Sequence, residues 1–263
     1  MQKLFKNKVL SIVLTIALIA GILGGAAVLF DGSSSGATSG SSNPGSNSNY
    51  GNSAGVVDFS ELTYVAFGDS ITYGWDGATI SRMAKPYPTA VSEILNVQEY
   101  LNCAVNGSTI TQIEGLTNIN TQVANASSDF DIVSVMIGVN DYARSAELGT
   151  LSDTGLTTVY GGLNTLVGNL KAKYPDAFIF FMTPLPCYRE EINNNASGVP
   201  LEDVVSAVKQ VCYRNSIPVL DMYSLGEFTM ENDPYADGCH PTQSYVIRYA
   251  APKIAAFIKS NYK

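Results

Sequence analysis

The chain has 263 residues, with 23 acidic and 15 basic side chains and a formal net charge of −8. Three of the basic residues are Lys3, Lys6 and Lys8, so the remainder of the chain is more acidic still. An acidic body without a basic cluster argues against nucleic acid and against an anionic membrane surface as partners. The length accommodates one domain of ordinary size and an additional segment.

The additional segment begins with residues 1–30, which have the pattern of a membrane-targeting sequence. The lysines precede an uncharged stretch at 9–30 that is about as long as the roughly 20 residues needed to span a bilayer as a helix. We therefore predict an uncleaved signal-anchor with its amino terminus in the cytoplasm. A signal peptide that is cleaved near Ala26 or Ala27, or in the tract that follows, is the alternative.

Residues 31–56 consist almost wholly of Ser, Gly, Asn and Ala. Such a composition cannot bury a core and predicts a flexible linker. The domain of interest is therefore expected at 57–263. Both interpretations of the amino-terminal segment place this domain outside the cytoplasm, either anchored at the cell surface or secreted.

From residue 57 onward, short apolar runs alternate with longer amphipathic stretches. We predict five strands, at 62–67, 100–105, 131–137, 177–182 and 218–222. We predict helices at 86–95, from about 110 to 124, and at 157–174, 201–213 and 245–258. Apolar strands alternating with helices indicate an α/β fold with a parallel sheet covered on both faces. In such sheets ligands bind at the carboxyl ends of the strands.

Small and polar residues follow several of these strands. Four blocks stand out: Gly68-Asp69-Ser70-Ile71-Thr72, Val105-Asn106-Gly107-Ser108, Gly138-Val139-Asn140-Asp141 and Asp237-Gly238-Cys239-His240-Pro241. A serine hydroxyl needs an adjacent base to act as a nucleophile at neutral pH, and imidazole titrates in the suitable range. The only histidine, His240, and Ser70 are therefore candidates for a base and a nucleophile. A turn with a helix cap at Ser70 and a structural histidine are the alternatives.

In their order and spacing the four blocks resemble the SGNH hydrolases, the superfamily of GDSL-type esterases and lipases, over about residues 60–260. The resemblance implies a three-layer α/β/α sandwich, flavodoxin-like, whose five-stranded parallel sheet has the order 2-1-3-4-5. It also implies acyl-ester hydrolysis without a cofactor or a metal. Ile71 replaces the leucine of the namesake motif, which is a conservative departure. We expect Asp69 and Asp141 to hydrogen-bond the loops rather than to titrate in the mechanism.

Carried over to the matching positions, the resemblance makes Ser70 the nucleophile, His240 the general base and Asp237 the group that holds the imidazole. The oxyanion hole would consist of the backbone N–H groups of Ser70 and Gly107 and the side-chain amide of Asn140. A carboxylate on the second ring nitrogen fixes the tautomer, and preorganised donors stabilise the negative charge that develops on the substrate oxygen. Ordinary turn roles are the alternatives for Asp237, Gly107 and Asn140.

The four cysteines, Cys103, Cys187, Cys212 and Cys239, lack the spacing of a zinc site. In an oxidising compartment cysteines pair, and we favour a bridge between Cys187 and Cys212, which flank a single crossover segment. Four free and mostly buried thiols are the alternative. Cys239 lies next to His240 in the chain, which raises the hypothesis of a redox-sensitive activity.

The substrate is less well defined by the sequence. Tyr73, Trp75 and Tyr87 follow the serine closely and are candidates for stacking on sugar rings, with plain packing as the alternative. The sequence contains no long apolar lid, which favours short acyl groups. Our first hypothesis is a carbohydrate O-acetylesterase or similar short-chain esterase acting on a small-molecule or glycan ester, and the second is a lysophospholipase or thioesterase. A catalytically silent glycan-binding module is a hypothesis of another class. A nucleotide-binding domain is disfavoured because no glycine-rich phosphate motif follows the first strand.

Overall fold

The strands of the domain form one parallel sheet and one short hairpin. In the computed structural model, residues 57–187, 198–225 and 237–263 are described. The strands are β1 (Thr63–Gly68), β2 (Trp75–Asp76), β3 (Ser81–Arg82), β4 (Glu99–Asn102), β5 (Ile132–Met136), β6 (Phe178–Met182) and β7 (Val219–Leu220). The predicted targeting segment and linker, residues 1–56, lie outside the described residues.

The sheet has the order β4-β1-β5-β6-β7, and every neighbouring pair is parallel. Counted along the chain, this is the order 2-1-3-4-5, so the predicted fold class is confirmed. In the register of the sheet, Val65 lies opposite Leu101 on one side and Val133 on the other. From β1 the chain first moves to β4 on one side and then crosses to β5 on the other side. The direction of winding therefore reverses at β1.

The central strands are buried because their side chains are apolar on both faces. Tyr64, Val65, Ala66 and Phe67 of β1 are completely buried, as is Val133 of β5. The edge strand β4 is different, since most of its residues are exposed. The continuous apolar runs that predicted a covered parallel sheet thus occupy its interior.

Eight α-helices occur in the described residues, and they flank the sheet. They are α1 (Ser70–Tyr73), α2 (Tyr87–Leu95), α3 (Ile119–Asn125), α4 (Val139–Ala143), α5 (Val159–Lys173), α6 (Leu201–Arg214), α7 (Gln243–Tyr245) and α8 (Ala251–Asn261). A π-helical turn, Val246–Ala250, joins the last two. Helix α2 packs against α8, whereas α5 packs against both α3 and α6. None of these helices is long and apolar enough to cross a membrane.

One predicted helix is only partly correct. Residues 110–118 form an irregular segment, and the helix begins at Ile119. The backbone groups of this segment find partners elsewhere: Ile110 donates its N–H to Asp141, and its carbonyl accepts from the Asn118 side chain. Asn118 also caps α3. Because these bonds satisfy the backbone without a helix, the apolar pattern alone overestimates the length of the helix.

The cysteine prediction needs a correction. No disulfide joins any of the four cysteines, all of which lie in the described residues. The bridge that we favoured between Cys187 and Cys212 is therefore wrong. Cys212 is completely buried on α6, and the Cys187 thiol contacts that of Cys239 instead. Spacing along the chain did not reveal this partner because the two thiols meet only through the packing of two separate loops.

Candidate active site

Three of the four blocks lie at the carboxyl ends of β1, β4 and β5, and the fourth precedes α7. The first block turns from β1 directly into α1, where Asp69 is the N-cap and accepts a 2.9 Å hydrogen bond from the Ile71 N–H. Ser70 is thus the first residue of the helix. The alternative interpretation of this block as a turn and cap is correct as a description of its local structure, and it leaves the Ser70 side chain available for other contacts.

The Ser70, His240 and Asp237 side chains form one chain of hydrogen bonds. Ser70 Oγ lies 2.8 Å from His240 Nε2, and His240 Nδ1 lies 2.7 Å from Asp237 Oδ2. The serine is only 9% exposed, and the histidine and aspartate side chains are 14% and 25% exposed. The structure therefore brings Ser70 into contact with His240, which lies 170 positions further along the chain, and with it Asp237 of the same loop.

The Asp237 carboxylate is held by more than the imidazole. Its Oδ1 accepts hydrogen bonds from the backbone N–H groups of His240, at 2.8 Å, and Cys239, at 3.1 Å. Partial burial disfavours the charged form, but the bonds from the His240 ring and backbone outweigh it, and the pKa of Asp237 lies well below its usual range. Asp237 is therefore ionised at neutral pH and holds the imidazole in one orientation.

The residues of the predicted oxyanion donors Gly107 and Asn140 follow β4 and β5, the two strands that flank β1 in the sheet. Gly107 has a φ of +73°, which residues with a side chain rarely adopt, and apart from its two chain neighbours no residue has an atom within 4 Å of the position that a Cβ would occupy. The space next to its backbone is thus open. The Asn140 amide donates a 3.0 Å hydrogen bond to the carbonyl of Ser108, the residue after Gly107. Since that amide carries two N–H groups, one remains for another acceptor.

Asp69 and Asp141 hydrogen-bond the loops, as we expected. Asp141 is completely buried and accepts bonds of 2.7–2.9 Å from the backbone of Ile110 and from the backbone and hydroxyl of Thr111. Burial raises the pKa of Asp141 to about 6 although these three donors favour its charged form. Burial likewise raises the pKa of Asp69 to about 7, against the bond from Ile71. Asp141 connects the loop after β5 to the segment that follows Gly107.

Replacing Asp141 with asparagine is expected to destabilise the fold by about 1–3 kcal/mol at pH 8. The new NH₂ group would face an N–H donor of the loop, so at least one buried polar group loses its partner. Urea unfolding of Asp141→Asn measures the loss. The control is Asp129→Asn at an exposed position, where a change within about 0.5 kcal/mol is expected. Equal stability of the two variants would contradict the role of Asp141.

Gly77 is a residue of the site that the sequence analysis missed. It follows β2 in the β2–β3 hairpin, which was not predicted either. A Cβ at Gly77 would lie 2.5 Å from Asp237 Cγ and 2.8 Å from Asp237 Oδ2. The hairpin therefore packs its backbone directly against the carboxylate that holds His240. The Asp76-Gly77 pair is a turn signal that could have predicted the hairpin. The contact between Gly77 and Asp237 could not be predicted from the sequence.

We expect Gly77→Ala to lower kcat about 10- to 100-fold, because the methyl group must displace the carboxylate or the hairpin. The matched control is Gly168→Ala on the exposed face of α5, where a Cβ meets no atom within 4 Å. That control should keep full activity and gain slight stability from its higher helix propensity. Ester hydrolysis and Tm are measured for both. Normal kcat in Gly77→Ala would show that the contact has no influence on the carboxylate.

The aromatic residues near the serine differ in their accessibility. Tyr87 is 2% exposed and hydrogen-bonds Thr72, so its proposed stacking on a sugar is wrong and the packing alternative holds. Tyr73 and Trp75 are partly exposed. The Arg82 guanidinium lies over the Tyr73 ring, 4.5 Å from its centroid. Tyr73 and Trp75 therefore remain candidates for contact with a ligand, whereas Tyr87 does not.

Cys239, between Asp237 and His240, is 4% exposed. Its contact with the Cys187 thiol and its burial raise the pKa of Cys239 well above the usual range. The thiolate, which is the form that reacts, is therefore suppressed, and this counts against the hypothesis of a redox-sensitive Cys239. In the described part of the chain, no group of three or more His, Cys, Asp or Glu side chains is placed to hold a metal ion.

A serine, an imidazole and a carboxylate lie in hydrogen-bonded sequence at the carboxyl edge of the parallel sheet of a doubly wound α/β fold, which is the arrangement that serine hydrolases use. The family model of the GDSL-like lipases and acylhydrolases matches residues 66–244. The chain belongs to this family, and it is a carboxylic ester hydrolase. The resemblance to the SGNH hydrolases is thereby confirmed. No curated protein matches the chain in sequence.

Solved structures of similar proteins agree in fold over most of the chain. A possible lipase from Chitinophaga pinensis DSM 2588 is 27% identical, with a TM-score of 0.61 over 76% of this chain and 98% of that one. A protein from Lactobacillus plantarum is 25% identical, with a TM-score of 0.68 over 77% and 99%. A carbohydrate acetylesterase family member from Sinorhizobium meliloti is 18% identical, with a TM-score of 0.55 over 75% and 99%. At that identity the last likeness concerns the fold alone.

Proposed function

We propose that the protein hydrolyses short acyl esters, foremost acetyl esters of carbohydrates, through Ser70, His240 and Asp237. The observation that carries the mechanism is the unbroken hydrogen-bond chain from Ser70 Oγ through the imidazole to the carboxylate. Ser70 Oγ attacks the ester carbonyl while His240 Nε2 takes its proton. The ionised Asp237 stabilises the resulting imidazolium and keeps Nε2 directed at the serine.

The tetrahedral intermediate places a negative charge on the former carbonyl oxygen. The Ser70 N–H in the first turn of α1, the Gly107 N–H and the second Asn140 N–H are the proposed donors to it. When the intermediate collapses, His240 returns the proton to the leaving alcohol and an acyl-serine remains. Water then attacks the acyl-serine with His240 again as the base, which releases the acid and restores Ser70.

Short acyl groups on carbohydrate are favoured by the surroundings of the serine. Trp75 and Tyr73 offer partly exposed rings beside Ser70, which suit the apolar face of a sugar. The sequence from residue 57 onward contains no long apolar segment beyond the predicted strands and helices, which favours short acyl groups. The structural neighbour from Sinorhizobium meliloti is a carbohydrate acetylesterase family member, which agrees with this substrate class.

Hydrolysis of p-nitrophenyl acetate, butyrate and octanoate by the full chain tests the acyl preference. We expect kcat/KM to be highest for the acetate. We also expect the protein to release acetate from an acetylated xylan or chitooligosaccharide. Ser70→Ala supplies the background rate for each ester. A preference for octanoate would favour a lysophospholipase or thioesterase instead. Absence of hydrolysis together with binding of glycans to both variants would favour a silent glycan-binding module.

The same proposal places the domain outside the cytoplasm on an amino-terminal membrane anchor. It is supported by the lysines that precede the apolar stretch at 9–30 and by the Ser/Gly-rich composition of 31–56. Protease treatment of intact cells should remove the esterase activity from the membrane fraction. Amino-terminal sequencing of the purified protein separates the anchor from a cleaved signal peptide, and activity that is protected in intact cells would contradict both.

A further inference from the structure

The side-chain amide of Gln122, on α3, bridges two of the blocks that form the active site. Its Oε1 accepts a 3.2 Å hydrogen bond from the Gly68 N–H, and its Nε2 donates to the Gly68 carbonyl at 2.8 Å. The same Nε2 donates to Ser108 Oγ at 2.6 Å. Gln122 is only 6% exposed, and both of its N–H groups and its oxygen are engaged. One amide therefore connects the end of β1 to the loop that follows β4.

Each end of this bridge is one or two residues from a proposed oxyanion donor. Gly68 precedes Ser70 by two residues, and Ser108 directly follows Gly107. The third donor is linked as well, because Asn140 donates to the Ser108 carbonyl at 3.0 Å. Ser108 is completely buried, so its position is set by these two bonds and its local turn.

We propose that Gln122 is a positioning residue that sets the spacing of the three oxyanion donors. The inference rests on the proposed function, since it assigns Gln122 to the hole formed by Ser70, Gly107 and Asn140. Donors stabilise the tetrahedral intermediate only when they are held where its oxygen will lie. A displacement of about 1 Å in a catalytic group costs about 100-fold in rate. Gln122 acts through Gly68 and Ser108 and does not touch the substrate.

The bridge is separable from the fold of the sheet. The Gly68 carbonyl also accepts a 3.2 Å bond from the Val105 N–H, and Gly68 pairs with Met136 of β5. These contacts keep β1 in place when the amide is removed. What is lost specifically is the link from Gly68 to Ser108.

The test is Gln122→Met in the full chain, since methionine has a similar length but cannot form the three hydrogen bonds. Labelling of Ser70 with a fluorophosphonate counts the folded sites, so that kcat is expressed per labelled site. We expect this kcat to fall about 10- to 100-fold while KM changes by less than about threefold, because the oxyanion donors act on the transition state. The affinity for a boronic acid, which forms a tetrahedral adduct with the serine, should fall with kcat. An unchanged kcat per site would overturn the inference.

A double-mutant cycle tests the route through Ser108. Ser108→Ala removes the hydroxyl that Gln122 contacts but keeps the carbonyl that Asn140 contacts, and we expect a kcat loss of about tenfold. Because both variants break the same link, the double variant should be no slower than Gln122→Met. If the double variant lost as much kcat as the two single variants combined, Gln122 would not act through Ser108. If Gln122→Met does not fold, Ser108→Ala decides alone, and a normal kcat in it would overturn the inference.

The matched control for loss of a hydrogen bond at α3 is Tyr174→Phe. The Tyr174 hydroxyl donates at 2.7 Å to the Ser127 carbonyl, two residues beyond the end of α3. This variant should lower Tm without changing kcat per site. If kcat per site fell as much in Tyr174→Phe as in Gln122→Met, the loss in Gln122→Met would be explained by general destabilisation. That result would overturn the inference.

Ser70→Ala and Asn140→Ala separate this inference from the proposed function. If both retain activity, the proposed nucleophile and oxyanion hole are wrong. If both lose activity while Gln122→Met keeps its kcat per site, only the role of Gln122 is wrong. The expected result is loss in all three, largest in Ser70→Ala.

Discussion

Ser70→Ala is expected to lower kcat for ester hydrolysis about 10³- to 10⁶-fold. The alanine has no nucleophilic oxygen, so the acyl-serine cannot form and only the slower direct attack of water remains. The Tm should change little, since the Oγ is held by the imidazole rather than by the core. The KM and the affinity for the product alcohol should also be unchanged, because the substitution leaves the oxyanion donors, Tyr73 and Trp75 intact.

The measurement is steady-state hydrolysis of p-nitrophenyl acetate with active-site labelling by a fluorophosphonate. Ser70→Ala should lose both the turnover and the label. Ser152→Ala, which removes an exposed hydroxyl in the segment before α5, is the control and should keep both. If Ser70→Ala retained turnover within tenfold of the wild type, another nucleophile would have to be sought among the residues around His240.

Asp237→Asn is expected to lower kcat about 10³- to 10⁴-fold by reversing the tautomer of His240. In the wild type, Asp237 Oδ1 accepts two backbone N–H groups and Oδ2 accepts from the ring. The asparagine oxygen must keep the backbone donors, so its NH₂ group faces Nδ1 of the imidazole. The ring then carries its proton on Nε2, and it can no longer accept the proton of Ser70.

The single histidine of the chain allows the tautomer to be observed directly. In ¹⁵N-labelled protein, the two ring nitrogens of His240 should exchange their pyrrole-like and pyridine-like shifts between the wild type and Asp237→Asn. Asp129→Asn, at an exposed position, should leave shifts and kcat unchanged. A low kcat without a change of tautomer would assign the loss to a displaced loop rather than to the orientation of the proton.

Much of the fold was predictable because the signals are local. The strand at 62–67 differs from β1 by one residue at each end, and the helix at 201–213 differs from α6 by one residue at its end. Each strand is an apolar run bounded by turn residues, and each long helix has an apolar stripe. The prediction was weakest at 110–118, where side-chain bonds from Asp141 and Asn118 replace a helical backbone.

The residue types of the candidate site were predictable, but the residues that position them were not. A serine after the first strand, an asparagine after the third and an Asp-x-x-His loop occupy positions that parallel strands bring to one edge. Nothing in the local pattern distinguishes Gln122 from an ordinary polar residue of α3. The partner of Cys187 was likewise assigned wrongly, since chain spacing contains no information on which buried thiols meet.

The amino-acid sequence by itself therefore determined the α/β class, the positions of the strands and the four blocks, because hydrophobic periodicity and turn chemistry act over a few neighbouring residues. Only the tertiary structure decided which groups touch: Gly77 against Asp237, Gln122 between Gly68 and Ser108, and Cys187 against Cys239. These contacts join residues far apart in the chain. They depend on how helices and loops pack over the sheet to within an ångström, and no local propensity specifies that packing.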